Sequence, residues 1–88
     1  MRLDKYLKVS RIIKRRTISK ELVSLDRAKI NGRVAKPSTQ VKEGDIVELQ
    51  LKDLNLTIKV ESVPEHIRSN EAHNMYSIVK EEFRKNEE

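Results

Sequence analysis

Apolar residues recur along this chain with two periods, and each period predicts a different element. Near the start, Leu3, Tyr6, Leu7 and Ser10 share one face at helical spacing, while Lys5, Lys8 and Arg11 fall away from it. A helix from about Leu3 to Arg11 is expected. Asp4 lies in its first turn, where the helix dipole favours an acid. Arg2 precedes that turn and is free to reach a partner that the later lysines do not touch. A second helix is predicted from Thr17, whose hydroxyl suits an N-cap. Ile18, Leu22 and Leu25 form its apolar stripe, and Ser24-Leu25-Asp26 ends it weakly, without a glycine stop.

The period then changes. Asn31-Gly32, between Lys29-Ile30 and Arg33-Val34, is a strong hairpin signal, because both turn residues tolerate positive φ. Lys36-Pro37 ends that hairpin, and Glu43-Gly44-Asp45 marks another turn. Val47, Leu49 and Leu51 alternate with Glu48 and Gln50, as in a half-buried strand. Leu56, Ile58 and Val60 repeat the pattern, and Asp53-Leu54-Asn55 joins the two as an antiparallel hairpin. Pro64 ends the sheet, and Glu65–Asn70 reads as a polar loop. From about Glu71 into the mid-eighties, Ala72, Met75, Ile78, Val79 and Phe83 share a helical face, which predicts a last helix docked on the sheet. The expected order is α-α-β-β-β-β-α, an α+β domain spanning residues 1–88.

Charge sharpens this picture. The net charge is +5, but residues 1–36 hold 12 Lys/Arg against three acids, and residues 37–88 hold 7 against 11. A segregated positive field attracts phosphates, which favours a nucleic-acid partner over a merely solvated face. A protein module whose basic face docks an acidic partner is the competing reading.

Catalytic chemistry finds little support. An 88-residue chain with 36% hydrophobic residues builds a thin core and leaves no room for an elaborate active site. There is no cysteine, so disulfides and thiolate metal sites are excluded. His66 and His73 are the only histidines, and they lack the ligand pattern of a metal site. Gly32 and Gly44 are the only glycines, too few for a phosphate-cradling loop or a dinucleotide fingerprint. No serine sits in a nucleophile elbow. No catalytic residue, metal or cofactor is expected. No apolar run approaches a membrane span and no signal peptide is evident, so a cytoplasmic protein is expected.

Binding is better supported. Lys14-Arg15-Arg16 sits at the predicted start of the second helix, where the dipole and unpaired N–H groups already favour an anion. Arg2, Lys5, Lys8, Lys20, Arg27, Lys29, Arg33 and Lys36 lie in the same basic third. Tyr6 is the only aromatic there and belongs to the apolar face. Base stacking is therefore not the main mode, and folded RNA read through phosphate and ribose is the expected target.

Four pieces in order, Arg2-Leu3-Asp4-Lys5-Tyr6-Leu7, Lys14-Arg15-Arg16-Thr17, Ile30-Asn31-Gly32-Arg33-Val34 and Glu43-Gly44-Asp45, resemble the RNA-binding domain named after ribosomal small-subunit protein S-four. The resemblance covers roughly residues 2–50 and implies an alpha-L motif, two N-terminal helices on a small antiparallel β-structure. A β-hairpin and the C-terminal helix would occupy about 51–88. No attached catalytic domain is expected. Standalone members include a small heat-shock RNA-binding protein and the RqcP-type factors of ribosome-associated quality control. Lys8–Thr17 and Asn74-Met75-Tyr76 are more similar to the latter. That resemblance implies a noncatalytic factor that binds rRNA of obstructed large ribosomal subunits and the peptidyl-site tRNA, and a monomer is expected. It would work with an RqcH-type elongation factor that adds alanine tails to stalled chains. It also implies Arg2 and Arg16 as the leading RNA contacts, with Lys5, Lys14, Arg15, Lys20 and Lys36 in support. A heat-shock-type factor that recycles large subunits carrying peptidyl-tRNA is the nearest alternative.

Overall fold

The alternating residues at the centre of the chain build the sheet on which everything else rests. The structure is a computed structural model, and it describes residues 1–13, 22–51, 54–63 and 75–83. Among the described residues, helix α1 (Leu3–Val9) precedes the strands β1 (Ala28–Ile30), β2 (Arg33–Val34), β3 (Ile46–Gln50), β4 (Leu54–Val60) and β5 (Tyr76–Phe83). The strands form one antiparallel sheet in the order β2-β1-β3-β4-β5. The α+β expectation holds.

The Asn31-Gly32 turn forms as predicted, with φ of 52° and 83°, and closes β1 on β2 with Ile30 opposite Arg33. Asn31 does more than turn the chain. Its side chain accepts from the Ile46 N–H and donates to Asp45, which fixes the start of β3. Val47 and Leu49 of β3 and Leu56, Ile58 and Val60 of β4 point into one core with Leu3, Tyr6 and Leu7 of α1. The helical face read from the sequence is the buried one, Ser10 included. The Tyr6 hydroxyl donates to the Met75 carbonyl at 2.8 Å and so ties α1 to the entry of β5.

α1 ends at Val9, two residues before the expected Arg11, because Arg11 adopts a left-handed φ of 63°. Most of the second predicted helix, including Thr17 and Ile18, lies outside the described residues; residues 22–24 are helical. That helix stops without glycine through Asp26, at φ 59°, which closes a Schellman pair: Arg27 N–H to the Leu22 carbonyl and Asp26 N–H to the Val23 carbonyl. The expected stripe is corrected here. Leu22 is buried, but Leu25 is 55% exposed and Val23 takes the inward position.

The larger correction concerns the C-terminal helix. Tyr76–Phe83 is β5, paired to β4 from Val60↔Tyr76 to Leu54↔Phe83. Ile78 and Val79 are β-branched, and Tyr76 and Phe83 are aromatic, all types that favour a pleated surface. A register shift at Thr57/Ile58 breaks the period-two pattern of β5. An interrupted alternation leaves apolar residues at spacings that mimic a helix. Leu54 and Asn55, expected in the connecting turn, instead open β4, while Asp53, the polar loop at Glu65–Asn70 and both histidines lie outside the described residues. Among the described residues, no helix is long and apolar enough to cross a membrane.

Candidate nucleic-acid interface

The first residues of the chain are pinned to a loop that sequence distance would not bring near them. Arg2 is extended (φ −71°, ψ 149°) at the N-cap of α1 and pairs with Gln40 as an isolated bridge. The Leu3 and Asp4 N–H groups donate to the Thr39 and Pro37 carbonyls, and the Val41 N–H donates to the Met1 carbonyl. The amides that open α1 are thereby occupied by the chain itself. Thr39 turns the loop by accepting the Lys36 N–H at its hydroxyl, 2.9 Å away. Arg2 and Lys36 thus come to line one cleft of about 420 Å³, with Val23, Ser24, Asp26, Ala35, Pro37 and Ser38.

Arg2 is held rather than free. Its Nε lies 3.3 Å from Asp4 Oδ1, and its Nη2 donates to Asp4 Oδ2 at 3.3 Å. Asp4 is only 1% exposed and also accepts the Lys5 N–H at 2.8 Å. The Arg2 side chain nevertheless remains 48% exposed. A buried carboxylate thus grips one edge of a half-exposed guanidinium and leaves the Nη1 side for a partner. This lowers the rotamer entropy that Arg2 would lose on meeting a phosphate. Sequence reading assigned Asp4 to the helix dipole and missed this tether. The Arg-x-Asp spacing across an N-cap is the signal that could have found it.

Of the other expected contacts, Lys5 is exposed one turn further along α1 and does not line the cleft. Lys14, Arg15, Arg16 and Lys20 lie outside the described residues, so the expected phosphate site at the second helix is neither placed nor removed by the geometry. What the described part offers is a cleft with a preset guanidinium, an ammonium from Lys36, and the exposed cations of α1. Among the described residues, Asp26 is the one acid that lines it. Such a surface suits phosphate and polar edges rather than stacked bases, since Tyr6, the aromatic of this region, is fully buried. Burial pushes the Tyr6 hydroxyl well above its ordinary range, with Tyr76 and Glu61 adding to the effect, and it remains protonated. Among the described residues, no cluster of His, Asp and Glu is arranged to hold a metal ion.

A short basic helix seated on a small antiparallel sheet, with a cation-lined cleft at its N-terminus, defines a small α+β domain with a cationic face. The S4 domain family model matches residues 1–47. The RQC P-site tRNA stabilizing factor of Listeria monocytogenes is 49% identical over 82 residues, covering 93% of this chain and 89% of that protein. Its Bacillus subtilis counterpart is 48% identical over 82 residues, covering 93% of this chain and 95% of that one. The trimeric structure of Vibrio cholerae Heat Shock Protein 15 superposes with a TM-score of 0.79 at 32% identity, covering 90% of this chain and 81% of that one. The chain belongs to the S4 domain family and, within it, to the family of the RQC P-site tRNA stabilizing factors.

Proposed function

We propose that this chain is a noncatalytic RNA-binding factor of ribosome-associated quality control, which holds the peptidyl-site tRNA on obstructed large ribosomal subunits. The observation that carries the reading is near-full-length identity of 49% to a protein named for stabilizing that tRNA. The Arg2–Lys36 cleft supports it, because a preset guanidinium beside an ammonium suits a folded RNA backbone. On this reading Arg2, Lys5 and Lys36 contact rRNA or tRNA, joined by Lys14, Arg15, Arg16 and Lys20. The protein acts in the cytoplasm, as one domain, without cofactor. It supports alanine tailing of stalled nascent chains alongside an RqcH-type elongation factor.

The test is co-sedimentation with large subunits carrying peptidyl-tRNA. Wild-type protein is expected to travel with them, and Arg2→Ala and Arg16→Ala are expected to lose that association. Unchanged association in both variants would contradict the assigned contacts. The likeness to Heat Shock Protein 15 favours one second reading, a factor that recycles such subunits. Alanine tails that form equally well without the protein would select it.

A further inference from the structure

Three described residues other than glycine adopt a left-handed backbone: Arg11 at φ 63°, Asp26 at 59° and Asn31 at 52°. Asp and Asn visit this region readily, because their short polar side chains bond locally. Arginine does not. Arg11 occupies the position just past the end of α1, its N–H on the Lys8 carbonyl, and the next turn closes with the Ile13 N–H on the Leu7 carbonyl. Glycine is the usual occupant of that position, since a Cβ there is strained. Ile13 is buried and anchors the turn from its far side.

Local structure thus gives no reason for an arginine here. Its side chain gives no stabilising one either: Arg11 is exposed, and among the described residues no acid pairs with it. What the residue does have is position. Lys5 and Lys8 are exposed three residues apart on α1, and Arg11 follows at the next step of three. Arg11 is thus the next exposed cation along the chain after Arg2, Lys5 and Lys8, just past the end of the helix.

We propose that Arg11 is a further RNA-contacting residue, kept in a left-handed turn that carries the cationic track of α1 beyond the end of the helix. Its ligand is a backbone phosphate of the folded RNA. The assignment rests on the RNA-binding reading above. The strain is tolerated because the same turn aims a guanidinium that glycine could not supply.

The experiment is equilibrium binding of the full chain to purified large subunits carrying peptidyl-tRNA, across a salt series, with thermal unfolding of each variant alongside. Arg11→Gly relieves the backbone and removes the cation. It is expected to unfold at the wild-type temperature or higher, yet to bind about tenfold more weakly, with a salt slope lower by roughly one. Arg11→Lys keeps the charge and is expected to retain the slope. Arg11→Asn, a second variant suited to the turn, is expected to behave as Arg11→Gly. Wild-type affinity in Arg11→Gly and Arg11→Asn, with binding lost in Arg2→Ala, would overturn the Arg11 assignment alone. Absence of salt-dependent binding by the wild-type chain would overturn the RNA-binding reading and this assignment with it.

Discussion

α1 and β5 carry similar apolar spacing, and they use it in opposite ways. In α1 the apolar face is sealed: Leu3, Tyr6 and Leu7 have no exposure, and the helix's cations face out. In β5 the residues read as a helical stripe are open: Ile78 is 54% and Phe83 71% exposed, on the outermost strand of the sheet. A 3–4 spacing therefore does not identify a helix by itself. It does so in α1 because Asp4, Lys5 and Lys8 fill positions between the apolar ones. In β5 it arises from an alternating strand interrupted at a bulge. The difference also separates roles. α1 joins the core and displays the exposed cations Lys5 and Lys8, whereas β5 completes the sheet and adds little to the core beyond Met75 at its entry.

The largest expected effect breaks this contrast if it is wrong. Leu7→Ala should lower the unfolding free energy by about 3 kcal/mol, the usual cost of a cavity at a fully buried leucine. Phe83→Ala should change it by less than about 0.5 kcal/mol, as exposed substitutions do. Urea titrations of both variants measure the gap, and equal losses would mean that β5 belongs to the core. Next comes the tether. Asp4→Asn keeps the shape but weakens the grip on Arg2, and should cost about 1.5 kcal/mol of RNA affinity, roughly tenfold. Glu81→Gln on β5 should leave affinity to large subunits unchanged.

A smaller effect concerns the bond between the two regions. Tyr6→Phe removes the hydroxyl from the Met75 carbonyl, which still accepts from the Glu61 and Ser62 N–H groups. The cost should be about 1 kcal/mol, because no acceptor is left bare. Its pH dependence has a definite sign. Burial raises the Tyr6 value above the ordinary 10.0, so the neutral form is favoured in the fold. Its contribution is complete below pH 10.0 and is lost as pH rises further, when the unfolded chain ionises and the fold does not. Wild-type protein should therefore lose stability above that pH more steeply than Tyr6→Phe, as alkaline unfolding curves would record. The smallest effect is expected from Ile78→Thr, within about 0.5 kcal/mol, because the site is open and threonine keeps the β-branch.

The parts of the fold legible in sequence were those governed by neighbours along the chain. The Asn31-Gly32 hairpin, the Glu43-Gly44-Asp45 turn and the inward faces of β3 and β4 follow from local backbone preference and strict alternation. β5 was not legible, since its conformation depends on β4 offering an edge to pair with. Arg2 and Lys36 could be proposed from charge, yet their meeting at one cleft depends on the Thr39 and Pro37 carbonyls capping α1. That is a long-range closure with no periodic signature. Leu25 was misassigned because the helix gives way after Ser24 to a turn that leaves it through a left-handed Asp26, and Leu25 lies in that turn rather than on the helix face.

The claim that function resides on α1 and the 36–39 loop, away from β5, is tested most directly by a cryo-electron microscopy structure of the protein on large subunits carrying peptidyl-tRNA. Arg2, Lys5 and Lys36 are predicted to lie within hydrogen-bonding distance of rRNA or tRNA phosphates, with Ile78 and Phe83 turned away from RNA. A complex in which β5 faces the RNA and α1 faces solvent would contradict it.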